Sequence, residues 1–278
     1  QPAQRAVTTG CSSMINYDVH GWTLCFIFQL RGSVFPKAVV WAIPSAVCSV
    51  LVNHFFFHAP MVNKEVPQAW FSYSFLLGFL VVFRTQQAYS RYWEGASLLQ
   101  QLKGDWLNCV SNSFAFCSSE ADKEDAVHRF QHLMARLMSL LHCAALQQVA
   151  QMDDAAFSVL DLVGVQFESL RHLSDNSDDR CVILIHWIEK LLVDNIHSGV
   201  LTIPAPIMSR AFQQLGNGVV SLINAQKITD IPFPFPYTQM VTLMLLIATI
   251  GTPLVTGLMI ESPFWCAALT FMAIFGFW

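Results

Sequence analysis

The chain has 278 residues, of which 54% are hydrophobic and 12% are charged, with 22 phenylalanines and a mean hydropathy of +0.45. A soluble domain carries about 25% charged residues, so this composition reads as an integral membrane protein. The net charge of −4 and the lack of any basic tract speak against a nucleic-acid binder.

Charge is unevenly spread. Residues 84–230 hold 27 of the 34 charged side chains, residues 36–63 only Lys37, and residues 231–278 only Glu261. The order is membrane, water, membrane. The expected units are an N-terminal and interfacial segment (1–35), a first membrane pair (36–83), a helical aqueous domain (84–230) and a second membrane pair (231–278). The sequence begins QPAQRAV, without an initiator Met, and stops inside the apolar run ending GFW. A processed or trimmed chain is expected.

The first apolar segment is Ala38 to Ala59, long enough for a helix to cross the ~30 Å hydrocarbon core, with Pro44 as a kink. The second is Val66 to Phe83. The charged middle is helical by period: Val127, Phe130, Leu133, Met134, Leu137, Leu140 and Leu141 form one stripe. CVILIHWIEKLLVDNI and APIMSRAFQQLGNGVVSLINAQ repeat the pattern, and SDNSDDR at 174–180 is a polar connector. The third apolar segment is Pro236 to Ile260, where Gly251-Thr252-Pro253 predicts a kink or break. The fourth runs from Pro263 to Trp278. The fold expected is all-α, with four membrane helices in two hairpins around a helical aqueous domain.

Phe71, Phe75, Phe79 and Phe83 recur every fourth residue. Four residues turn about 400°, so such a row slants by only about 40° per step. Ser72, Ser74 and Gly78 lie between, and small residues let helices approach closely. Ordinary helix packing accounts for this spacing. So does a hydrophobic pore constriction, in which stacked rings gate by dewetting and aromatic edges, being positive, favour an anion. Arg84, Arg91 and Glu94 follow at once. They fit a structural network at the membrane boundary, with Arg91 and Glu94 three apart and able to pair, or an electropositive vestibule that concentrates anions.

FRTQQAYSRYWEG at 83–95 closely resembles the signature block of the bestrophin family. RGSVFPK at 31–37 is similar to its entry into the first membrane helix. DIPFPFPYTQM at 230–240 is similar to its IP-x-x-YTQ block. The PFPFPY form and FWCAALTFMAIFGFW at 264–278 look most like the plant, algal and microbial branch. The resemblance covers most of 31–278. It implies a pentameric anion channel passing chloride, or bicarbonate, with membrane lipids around it and no cofactor. Its neck maps onto Phe71, Phe75 and Phe79, while Phe83 falls beyond it. A second aperture maps onto Ile207 in APIMSR, a residue that otherwise reads as the core of a helix start. The branch implies an organellar membrane, the thylakoid of a chloroplast, with the plasma membrane as the alternative.

Two departures stand out. The family's Trp-Trp-Glu-Gly-Arg is Tyr92-Trp93-Glu94-Gly95-Ala96 here, which removes a charge-assisted contact at Ala96. The acidic calcium-binding cluster of animal members follows the last membrane helix, past Trp278. The rival reading is a non-conducting bestrophin-like subunit docked on a larger membrane complex, for example a photosynthetic one.

The remaining candidates read as structural. His128 and His132 have a zinc-compatible spacing but no third ligand. Asp153-Asp154 and Asp178-Asp179 lack a calcium-loop pattern. Cys11, Cys25, Cys48, Cys109, Cys117, Cys143, Cys181 and Cys266 form no CxxC pair and are expected reduced. Glu261 is interfacial. No nucleophile elbow, P-loop or dinucleotide motif is present, so no enzyme is expected and no metal is assigned.

Overall fold

A computed structural model describes residues 33–56, 65–151, 173 and 180–278. Most of the N-terminal segment, Cys11, Cys25, Asp153, Asp154, Asp178, Asp179 and the connector at 174–179 lie outside them. The described residues are helical apart from short links: α1 (Phe35–Phe56), α2 (Glu65–Ala115), a 3₁₀ turn (Ala121–Lys123), α3 (Glu124–Ala150), α4 (Arg180–His197), α5 (Ala205–Asp230), α6 (Phe235–Met259) and α7 (Pro263–Phe277). The one extended pairing among them is an isolated bridge between Cys117 and Leu201. The protein is all-α and membrane-integral. Stretches within α1, α2 and α6 are long and apolar enough to cross a membrane, and α7 is a shorter apolar helix.

The chain forms two compact units. One is Ser90–Pro232; the other combines 33–89 with Phe233–Trp278. They are called here the charged and the apolar unit.

In the apolar unit α1 packs against α6 and α7. Its buried residues are Ala38, Ala42, Ser45, Ser49 and Asn53, spaced three or four apart and so on one stripe. Their small size brings backbones close. A Cβ at Gly257 of α6 would stand 2.8 Å from Val52 and 2.9 Å from the Ser49 carbonyl. Polar atoms fasten the stripe. Asn53 Nδ2 donates to the Gly257 and Ile260 carbonyls at 3.1 and 2.6 Å, and Ser49 Oγ lies 2.7 Å from Cys266 Sγ. Without a hydrophobic drive in lipid, such close packing and hydrogen bonding hold helices together.

Pro253 does not break α6, which is continuous to Met259. A proline at 253 leaves the Thr249 carbonyl without its helical donor. The Ser45 hydroxyl of α1 lies 3.4 Å from that oxygen and 3.0 Å from its own Trp41 carbonyl, so a neighbouring helix offers the missing proton.

In the charged unit, α3 and α4 pack together, with α5 also against α3. The predicted stripe on α3 is buried at Val127, Phe130, Met134, Leu137 and Leu141, with Leu133 and Leu140 partly buried. It meets Leu184, Ile188 and Leu192 of α4 and Met208, Ala211 and Leu215 of α5 in one core. Large apolar side chains fill this core, as they do where water drives burial.

Candidate functional site

The phenylalanine row lies on α2. Its helix does not stop at Phe83, where the apolar run ends, but continues to Ala115. The charges at 84, 91 and 94 mark a change of surroundings along an unbroken helix, since no proline interrupts the period.

One flank of α2 is used inside the apolar unit. Leu77 is fully buried in a cluster with Val241, Leu245 and Ala248 of α6, with Tyr73, Leu80 and Val81 packed beside it. The Tyr73 hydroxyl donates to the Met244 carbonyl at 2.5 Å. Two residues along a helix is about 200°, so Phe75 stands nearly opposite both Tyr73 and Leu77. Phe71, Phe75 and Phe79 are accordingly 76%, 73% and 61% exposed. None of the three belongs to the described core cluster of their unit. Gly78 beside them has open space where a Cβ would be, so its small size serves no close approach among the described residues. The row is offered outward, together with Leu76 and Val82.

Arg84 and Glu94 are exposed and Arg91 is half-buried. The Arg91 guanidinium does not reach for Glu94. Its Nη2 donates to the Ile228 carbonyl, and to the Ile231 carbonyl at 2.7 Å. The reason lies at the end of α5. The Ile228 oxygen would be bonded by the N–H of residue 232, which is a proline and has none. Arg91 fills that vacancy, and its charge suits the negative end of a helix. The two blocks FRTQQAYSRYWEG and DIPFPFPYTQM, far apart in sequence, are thus joined by one side chain. The clue was Pro232 itself, which announces an orphan carbonyl four residues earlier.

Ile207 lies in the first turn of α5 and is 45% exposed, whereas its neighbour Met208 is buried. It is not the core residue of that helix start. Pro206 at the start of α5 needs no donor there, as first-turn prolines do not.

His128 and His132 sit on α3, with His128 Nε2 3.9 Å from Glu124 Oε1. Among the described residues no group of three or more His, Cys, Asp or Glu side chains gathers to hold a metal. Glu261 is exposed beside the start of α7.

The sequence matches the family described as Bacterial/Fungal Bestrophin protein over residues 14–278. No curated protein sequence matches it. Among solved structures, the fold is similar to crystal structures of two variants of a bacterial bestrophin homologue from Klebsiella pneumoniae. One is 14% identical, with a TM-score of 0.69, covering 88% of this chain and 85% of that one. The other is 14% identical, with a TM-score of 0.68, covering 93% and 85%.

Proposed function

The chain belongs to the bacterial and fungal bestrophin family, and from that premise we propose that it is a homo-pentameric anion channel whose neck is built by Phe71, Phe75 and Phe79. The observation that carries this reading is the outward stance of the row: three large rings on one flank of α2, opposite the flank that packs on α6. Five copies turned toward a common axis would stack them into three apolar rings. A ring of this kind holds back water and conducts only when wetted. Inward-turned aromatic edges carry partial positive charge, which favours chloride or bicarbonate over a cation without any fixed charge in the neck.

In this reading residues 84–230 form the aqueous domain. Arg84 adds exposed positive charge that raises local anion concentration, while Arg91 serves structure through α5 and Glu94 stays at the surface. Ile207, exposed at the start of α5, supplies a second apolar constriction. The remaining exposed apolar side chains of α1, α6 and α7 face lipid or a neighbouring subunit. The likeness to the plant, algal and microbial branch favours a thylakoid membrane; a bacterial and fungal family supports the plasma membrane at least as well.

The test is the native mass of the chain in mild detergent, followed by chloride flux from liposomes made with the same sample. A five-subunit particle that passes chloride supports the proposal. A monomer, or a particle held only with other proteins and passing nothing, would mean a docked, non-conducting subunit with the fold kept and the pore lost.

A further inference from the structure

Between α2 and α3, within the charged unit, lies an open cavity of about 250 Å³. Its apolar walls are Trp106, Leu107, Val110 and Met138. Its polar groups are Lys103, Ser139 and His142. Among the described residues no acidic side chain lines it.

The deepest wall is fixed in advance. Trp106 is almost wholly buried. Its indole N–H donates to the Leu215 carbonyl of α5 at 3.3 Å. The indole lies where a Cβ at Gly218 would be, so only glycine at 218 leaves room for it. The His142 ring meets it edge-on, with centroids 6.3 Å apart. A wall held in this way costs little ordering when something binds. Burial, and secondly the Lys103 charge, hold His142 below its ordinary pKa. That disfavours its cation, and Lys103 is the permanent charge among the described residues lining the cavity.

We propose that this cavity binds a small organic carboxylate, with the anionic group on Lys103 and a single ring or short chain between Trp106, Leu107 and Met138. Apolar walls with a few convergent polar groups are the usual character of a ligand site, and drug-sized sites begin at roughly 300 Å³, so the occupant is smaller. An inorganic anion would have no use for the indole and aliphatic walls. The proposal rests on these lining residues alone and does not depend on whether the chain conducts.

The probe is 4-fluorobenzoate, followed by fluorine NMR line broadening on the full chain in mild detergent, with empty micelles as reference. Saturable binding above the micelle reference is expected, with Trp106 fluorescence quenched and the quench absent from Trp106→Phe. Lys103 is exposed, so Lys103→Gln leaves the fold intact; it should weaken binding by about tenfold or more, as loss of a charge-assisted contact does. Lys190→Gln, an exposed lysine on α4, should leave affinity unchanged. The neutral analogue 4-fluorobenzyl alcohol should bind as weakly as benzoate does to Lys103→Gln. Uptake no greater than by micelles, equal affinity in Lys103→Gln, or equal weakening by Lys190→Gln would each overturn the proposal.

Discussion

The core of the charged unit and the α1 contact of the apolar unit bury side chains of opposite size. In the charged unit Leu102, Met134, Leu141, Leu184 and Ile188 are fully buried. In the apolar unit the stripe that α1 buries is Ala38, Ala42, Ser45, Ser49 and Asn53, while Ile43, Leu51, Phe55, Phe71 and Phe75 are exposed. Water drives large apolar groups together in the first case. Lipid gives no such drive in the second, so close backbone approach and interhelical hydrogen bonds carry the packing. Exposure alone does not separate the units, since Trp93, Leu107, Val220 and Ile223 of the charged unit are exposed too; the difference lies in the size of what is buried at the helix contacts. The phenylalanine row stands out by its regular placement opposite the α6 contact, not by its exposure alone.

Truncation should separate the units most sharply. Leu184→Ala removes a fully buried side chain from the charged core, and a loss of about 2–5 kcal/mol is expected; a thermal melt of the detergent-solubilised chain reads it. Gly257→Val reverses the logic by adding bulk where α1 and α6 nearly touch. Overpacking of this kind costs about 1–3 kcal/mol, measured by denaturant titration in mixed micelles. Asn53→Ala strips the donor from the Gly257 and Ile260 carbonyls, and hydrogen bonds between membrane helices are worth about 0.6–1.7 kcal/mol, so the same titration should move less. Phe75→Ala is the smallest case: it cuts away more side chain than any of these, yet should change stability by no more than about 0.5 kcal/mol. A loss like that of Leu184→Ala would show that the row is packing and erase the contrast.

Much of this was legible in the sequence. Hydropathy located the apolar helices and the 3.6-residue period located α3, α4 and α5, because both report which solvent a face meets. What hydropathy cannot report is where a helix ends when only the solvent changes. For that reason α2 runs on from Phe83 to Ala115 although its character switches at Arg84. The break allowed for at Pro253 does not occur, since the cost of the lost donor depends on Ser45, more than 200 residues away. The Arg91 contact was hidden behind a nearer partner: local spacing favoured Glu94, and only the orphan carbonyl made by Pro232 favoured Ile228. Ile207 was ambiguous because one residue's shift in register decides whether a helix start turns inward, and Met208 took the inward place.

Whether the row lines a water-filled path is tested most directly by placing a thiol on it. The change Phe75→Cys is made in a chain whose exposed Cys48 is replaced by alanine. Burial pushes the Cys109 and Cys181 thiols of the charged unit up to about 11, which keeps them inert at neutral pH. Chloride flux is then followed in liposomes while a membrane-impermeant, sulfonate-bearing thiol reagent is added. A pore-lining position predicts modification from water and a block of the flux that a reducing agent reverses. A position that reacts only with a lipid-soluble reagent, and leaves the flux unchanged, would contradict it and return Phe71, Phe75 and Phe79 to the lipid.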